Sequence, residues 1–232
     1  LVDRAKRILP FEDRDISGFI GKNLTENGVH VFHEAGLREA RELSENGELE
    51  VVLDFDQGHS KVLEVDVVLI CIGRIPNTDK LALEKIGVHP NARGLLEGEH
   101  NCQVTSNLYA AGDITPGAAL VNIGEMEGRF SIKTMYDIPR EPFSYNNMST
   151  IMFFKPEVAA VGLNERQCRE KGIAYKVAFY SNALVNRAIS MRSIKGFVKI
   201  LVDTNGLILG MRAAGPQASS LVMCISLLMD QK

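Results

Sequence analysis

The stretch Thr105-Ser106-Asn107-Leu108-Tyr109-Ala110-Ala111-Gly112-Asp113-Ile114 reads as a short strand that stops at a small-residue turn bearing one carboxylate. Leu108 and Ala110 alternate with Tyr109, the period of a strand with one buried face. Ala111 and Gly112 remove side-chain bulk where a ligand could meet backbone, and Asp113 sets a short acceptor there, suited to a sugar or polyol hydroxyl. On this segment alone an ordinary strand-to-turn aspartate is the plainer reading. The next twenty residues tip the balance toward a ligand site. The loop Pro116-Gly117-Ala118-Ala119 leads into a helical stretch from Leu120 to about Tyr136, and a helix N-terminus aimed at a ligand suits an electron-rich group.

With 232 residues and 45% hydrophobic content, the chain can bury real cores in one or two domains. Its net charge of −3 carries no basic stripe or charged tail, so no nucleic-acid partner is expected. The longest apolar runs, such as Val67 to Ile72, are far too short for a membrane span, and reduced thiols in a cytoplasmic protein are the default expectation. Cys71, Cys102, Cys168 and Cys224 are scattered without C-x-x-C or C-x4-C spacing, which supports neither a metal site nor a local redox disulfide. Cys71 and Cys224 sit among apolar neighbours and are read as buried; His30 and His33 are read as strand residues.

Along the chain, Ile16, Phe19, Ile20 and Leu24 predict one face of a helix from Asp15 to Gly28, followed by a strand at Val29–His33. Leu37–Leu43 alternates loosely and meets an Asn46-Gly47 turn signal. Leu49–Phe55 and Lys61–Val65 predict a hairpin across Gln57-Gly58-His59-Ser60, and Val67–Ile72 reads as a strand covered on both faces. A short helix is expected over Asp79–Ile86, and the two prolines of Ile138-Pro139-Arg140-Glu141-Pro142 mark a linker. Beyond it the pattern changes to antiparallel strands, at Thr150–Phe154, Val158–Val161, Tyr175–Tyr180, Phe197–Val202 and Leu207–Met211. Asn164 is a good N-cap for a short helix ending at Gly172, and Asn205-Gly206 is a hairpin signal. A last helix from Pro216 is expected to pack through Leu221, Val222, Ile225, Leu228 and Met229.

Three segments carry a family resemblance. The Asp113 segment resembles the second flavin-binding motif of the FAD-dependent pyridine nucleotide-disulfide oxidoreductases, the group of dihydrolipoamide dehydrogenase, glutathione reductase and soluble transhydrogenase. Val68-Leu69-Ile70-Cys71-Ile72-Gly73-Arg74-Ile75-Pro76-Asn77-Thr78 resembles their apolar strand and G-R-x-P-N-T turn, and Lys155-Pro156-Glu157-Val158-Ala159-Ala160-Val161-Gly162 the opening of their interface domain. The order is the family's along the whole chain. Its G-x-G-x-x-G flavin motif, C-x4-C pair, nicotinamide glycine motif and closing His/Glu segment are not in the sequence, which is therefore read as an internal-to-C-terminal fragment of a longer enzyme.

The resemblance implies an α/β fold: partial Rossmann-like nucleotide-binding domains with a β-meander, then an α+β dimerisation domain with an antiparallel sheet. Residues 1–73 would complete an NAD-binding domain, 74–145 supply the second segment of a FAD-binding domain, and 146–232 form a truncated interface domain. By resemblance Asp113 accepts from a ribityl hydroxyl of FAD beside Gly112, and Ala119, Leu120, Val121 and Asn122 present backbone amides to the flavin pyrimidine edge. Dihydrolipoamide dehydrogenases usually read Ala-His where this chain has Val121-Asn122, which leaves transhydrogenase-like members open. Asp3 stands where NAD-preferring relatives carry the ribose-binding acid, with Arg7-Ile8-Leu9-Pro10 aligning downstream; Arg4, where NADP-using relatives place an arginine, points the other way. Gly73 would let the nicotinamide cofactor lie against backbone, or serve as a plain turn glycine, and Ala35 falls near an adenine contact. Arg74 and Asn77 are read as holding their turn together, and Glu125, Glu127 and Arg129 as a solvated or interdomain helix face. The implied activity passes electrons between NAD(H) and a small-molecule or lipoyl-type dithiol through FAD, in a homodimer. The alternatives are a soluble transhydrogenase-like flavoenzyme and, for this chain alone, a non-catalytic dimerisation fragment.

Overall fold

A computed structural model describes residues 1–43, 47–98 and 102–231. These divide into two compact units, Leu1–Leu69 with Asn146–Lys232, and Ile70–Tyr145.

The first segment opens with an isolated parallel bridge from Val2 to Phe32, in which the Asp3 amide donates to the Phe32 carbonyl at 2.9 Å. The strand expected over Val29–His33 reduces to this bridge, because its parallel partner among the described residues is limited to Leu1–Asp3. Helix α1 (Arg14–Glu26) forms where the apolar spacing places it, burying Ile16 and Ile20 with Phe19 and Leu24 packed alongside. Strands β1 (Ala35–Glu42), β2 (Leu49–Phe55) and β3 (Ser60–Val65) make an antiparallel meander in sequence order. The Asn46-Gly47 signal falls partly outside the described residues, since Asn46 is not among them. The turn from β2 to β3 closes as expected, with the Phe55 amide donating to the His59 carbonyl.

Val67–Ile72 departs from expectation. It forms no strand pairing with any described residue, and Val67 and Ile72 are 78% and 94% exposed. A run apolar on both faces needs sheet neighbours and covering helices, and no described segment takes those positions. Cys71, on this run, is accordingly exposed rather than buried.

In the second unit, β4 (Gln103–Thr105) pairs antiparallel with β5 (Leu108–Tyr109). The helix expected over Asp79–Ile86 survives only as a 3-10 turn at Leu83–Ile86, because Ala82 takes a left-handed conformation just before it. Leu83, Val88, Leu96 and Ala110 form a core with Val104, Leu108 and Ile114 packed against it. Helix α2 (Val121–Met135) runs within a residue of its expected limits.

The remaining segment builds a five-stranded antiparallel sheet from β6 (Thr150–Met152), β7 (Val158–Gly162), β8 (Lys176–Ser181), β9 (Phe197–Val202) and β10 (Ile208–Ala214), ordered β6-β7-β10-β9-β8. Short helices α3 (Glu165–Glu170) and α4 (Asn186–Ser190) decorate it, and α5 (Ala218–Asp230) packs on β7 and β10. The face of α5 that packs is Ala218, Val222, Ile225 and Met229. Leu221 and Leu228 lie off that stripe and are exposed, and Cys224 is exposed too, against the expectation of burial. Phe197, Val158 and Ala214 share a core with α1, so the chain's first and last segments pack as one body. Its interior also holds charge: Lys199, 1% exposed, lies 2.7 Å from Asp13, 2.6 Å from Asp15 and 3.0 Å from Glu165, and Arg212 lies 2.8 Å from Glu12.

Candidate nucleotide-binding site

The second unit assembles the Asp113 turn from the strand outward. Ala110 is buried, Ala111 is extended, and Gly112 turns the chain with φ +79°, a left-handed conformation that costs a side-chain-bearing residue but not glycine. A 3-10 turn over Gly112–Ile114 comes next, closed by the Thr115 amide and hydroxyl, both donating to the Gly112 carbonyl at 2.9 Å. Ile114 faces the core and its carbonyl takes the Leu96 amide at 2.9 Å, while Asp113 is left exposed. The Asp113 carboxylate accepts from the Arg74 guanidinium at 3.0 Å. Both side chains are more than half exposed, so water screens the pair and a ligand hydroxyl can compete for it.

This turn is seated on the first turns of α2. A methyl group at Gly124 would stand 3.0 Å from the Gly112 α-carbon. Below the glycine lies Glu127, read from the sequence as part of a solvated or interdomain helix face. It is instead 1% exposed. Its Oε2 accepts the Gly112 amide at 2.6 Å and its Oε1 accepts the Tyr145 hydroxyl at 2.6 Å. Burial, together with the hydrogen bond and charge of Glu127, pushes the Tyr145 phenol well above its ordinary value. Burial also raises the Cys102 thiol, with the Glu127 charge adding to it against a hydrogen bond from Ser131. The signal that marks Glu127 is the spacing Ile123, Glu127, Ser131, a single buried stripe of α2.

The residues expected to present amides sit at the start of the same helix. Leu120 is its N-cap, with extended backbone and no capping side chain. The Leu120 amide donates to the Ala118 carbonyl at 2.8 Å. The first helical bond runs from Gly124 to Leu120, so the amides of Val121 and Asn122 precede it and have no carbonyl one turn back. Ala119, Val121 and Asn122 are exposed. An outward carboxylate, small residues and helix-start amides without a carbonyl partner among the described residues thus stand in one unit, a set whose chemistry suits hydroxyls and electron-rich groups.

In the first unit, Asp3 and Ala35 are brought together: the Ala35 amide donates to the Asp3 carbonyl at 3.1 Å. The Asp3 carboxylate accepts the Ala5 amide at 2.8 Å through Oδ1. Ala35 is buried at the head of β1. Arg4 lies along the neighbouring Gly36, where a methyl group would meet its Nε at 3.3 Å. Gly73 belongs to the second unit; its φ of +132° demands glycine, and no described atom lies within 4 Å of where a methyl group would stand.

Comparison with known proteins gives this arrangement its setting. Residues 1–128 match the family model described as pyridine nucleotide-disulphide oxidoreductase, and residues 148–232 match the dimerisation domain of the same family. The chain is 32% identical to a dihydrolipoyl dehydrogenase of Geobacillus stearothermophilus, over 99% of the chain and 48% of that protein. It is 34% identical to a soluble pyridine nucleotide transhydrogenase of Chromohalobacter salexigens, over 100% of the chain and 49% of that protein. The crystal structure of LpdA from Mycobacterium tuberculosis superimposes with a TM-score of 0.88 at 25% identity, over 99% of this chain and 49% of that one. The HOCl-induced flavoprotein disulfide reductase RclA from Escherichia coli does so with 0.86 at 26%, over 99% and 52%. The chain thus spans about half the length of the curated relatives it matches. With the two family models following one another along a fold shared with these reductases, the chain belongs to the pyridine nucleotide-disulphide oxidoreductase family.

Proposed function

We propose that the protein carrying this chain is a FAD-dependent oxidoreductase that passes electrons between NAD(H) and a disulfide or dithiol substrate, in the manner of dihydrolipoamide dehydrogenase. The observation that carries this reading is the Asp113 turn seated on the start of α2, with its carboxylate outward. FAD, when bound, supplies the two-electron redox chemistry. Asp113 accepts from a ribityl hydroxyl and exchanges its screened contact with Arg74 for it. The amides of Ala119, Val121 and Asn122, with the positive end of α2, stabilise negative charge on the bound ring, a helix terminus contributing roughly 0.3–1 kcal/mol and up to about 2 when partly buried. Asp3 accepts from the adenosine ribose of NAD, and Gly73 keeps backbone open to the nicotinamide cofactor. In this reading residues 1–73 serve NAD, 74–145 serve FAD and 146–232 serve dimerisation, in a cytoplasmic enzyme. A soluble transhydrogenase-like activity is the second reading, favoured by Val121-Asn122 in place of Ala-His and by the 34% identical relative.

Asp113→Ala in the full-length protein should lower FAD affinity by at least about tenfold, since a hydrogen bond to a charged group contributes roughly 1.5–3 kcal/mol, while thermal stability changes little. Flavin content unchanged after exhaustive dialysis of the variant would sink the assignment. Assembly as a homodimer is supported by the match to a dimerisation domain and by exposed apolar residues of α5 and β8, among them Met223, Leu227, Leu228 and Phe179. Sedimentation equilibrium should find a dimer; a strictly monomeric full-length protein at micromolar concentration excludes it.

A further inference from the structure

Among the described residues, Glu127 is the one fully buried carboxylate of the second unit, and the flavin reading gives it no task. An ionised carboxylate withdrawn from water is costly unless donors surround it. Both of its oxygens are met, one by the Gly112 amide and one by the Tyr145 hydroxyl, each at 2.6 Å. Its backbone carbonyl takes the Ser131 hydroxyl at 2.8 Å, which ties the same stretch of α2 again. The loop leading into α2 closes over it: a methyl group at Gly117 would stand 3.1 Å from Oε1. One buried group therefore touches the turn that aims Asp113, the loop that leads to the helix-start amides, and the residue that ends the unit.

Resting on the assignment of Asp113 to the flavin, we propose that Glu127, braced by Tyr145, is a positioning residue that fixes the Gly112 amide and so holds the Asp113 carboxylate in the geometry that binds FAD. The Gly112 amide is the donor at the glycine where the chain reverses, and the Glu127 carboxylate locks it. Without the carboxylate, the turn keeps Thr115 as its closing contact but loses the bond that sets its tilt on α2. A glutamine in place of Glu127 keeps the bond, because its amide oxygen accepts from Gly112 and its amide nitrogen donates to the Tyr145 oxygen. Leucine keeps the bulk and neither bond.

The test is a double-mutant cycle on the full-length holoprotein, read as FAD affinity of the apoprotein and as the visible circular dichroism of the bound flavin. Glu127→Leu should weaken FAD by at least about tenfold, and Glu127→Gln should stay within about threefold of the parent. In an Asp113→Ala background, Glu127→Leu should cost at most about twofold more, because the group it positions is gone. The flavin dichroic band should change shape in Glu127→Leu and not in Glu127→Gln. Equal losses in both backgrounds would make Glu127 a purely structural residue and overturn the inference while leaving Asp113 a flavin ligand. So would a Glu127→Leu variant with parental affinity. An Asp113→Ala variant with parental affinity removes the flavin assignment itself, and the inference with it. If Glu127→Leu does not fold, Tyr145→Phe decides by the same cycle: a weaker, non-additive effect supports the brace, and parental affinity overturns it.

Discussion

Asp3 and Asp113 are both short carboxylates at strand ends, yet their surroundings prepare them differently. Asp113 stands outward with a screened guanidinium beside it, whereas Asp3 spends one oxygen on the Ala5 amide and leaves the other without a partner among the described residues. A carboxylate so placed can accept from a ribose hydroxyl and repels a phosphate on that ribose. Arg4 lies along Gly36 in the adjoining strand and is exposed, so its charge acts against that preference. Asp3→Ser should therefore narrow the preference for NAD(H) over NADP(H) by about tenfold, mainly by relieving repulsion of like charges. Steady-state kcat/KM for both cofactors measures it, and equal values in the unaltered protein would remove Asp3 from the role.

Among the elements, α3 illustrates what local chemistry can specify. Asn164 accepts the Gln167 amide at 2.8 Å while the Gln167 side chain accepts the Asn164 amide at 2.9 Å, a reciprocal cap for a helix of six residues. The Asn164 side-chain nitrogen also donates to the Phe11 carbonyl at 2.9 Å, joining α3 to the segment before α1. Asn164→Ala should cost about 1–2 kcal/mol in equilibrium urea unfolding, and a loss below roughly 0.3 kcal/mol would show the cap idle. Signals of this range are legible in the sequence: the Asn164 cap, the Asn205-Gly206 hairpin and both limits of α2 depend on residues within one or two turns of each other. What is not legible depends on partners distant in sequence. Val67–Ile72 has the composition of a buried strand, but burial belongs to its neighbours rather than to itself. On α5, Val222, Ile225 and Met229 pack as expected while Leu221 and Leu228 do not, because the helix is apolar nearly all round and periodicity alone does not set the edges of its face. The charge of Glu127 suggests a solvated or interdomain face, and only the fold reveals that Gly112 and Tyr145 close over it. The candidate flavin residues stand out because Gly112 and Asp113 adjoin in sequence, while the group underneath them lies fifteen residues on.

At the scale of the whole molecule, the first and last segments are held together by charge as well as by apolar packing. Lys199 rises from β9 into a nest formed by Asp13 and Asp15 at the start of α1 and Glu165 at the start of α3, and Arg212 pairs with Glu12, the neighbour of Asp13. Burial works to lower the lysine, but the hydrogen bonds to Asp13, Asp15 and Glu165 outweigh it and leave it above its ordinary value. Burial likewise works to raise Asp13, and the hydrogen bond and charge of Lys199 outweigh that, leaving it below the usual carboxylate value. The signs set a window. A carboxyl depressed on folding contributes stability above its unfolded value near 3.8, lost as pH falls through the lower folded value; a raised lysine contributes below about 10.5, lost as pH climbs through the higher folded one. Between these limits the network acts at full strength. Lys199→Met removes the cation at the centre of the nest and strands a buried carboxylate, which should cost about 3–5 kcal/mol at neutral pH. The penalty arises from an unpaired charge, so it should shrink as pH falls and Asp13, no longer held down by the lysine, takes up a proton in the variant. Urea unfolding of parent and variant as pH is lowered separates the two origins. A pH-independent deficit would assign the loss to packing of the lysine stem, and no deficit at neutral pH would mean that the apolar contacts of Ile16, Ile20, Val158 and Phe197 hold the two segments together without it.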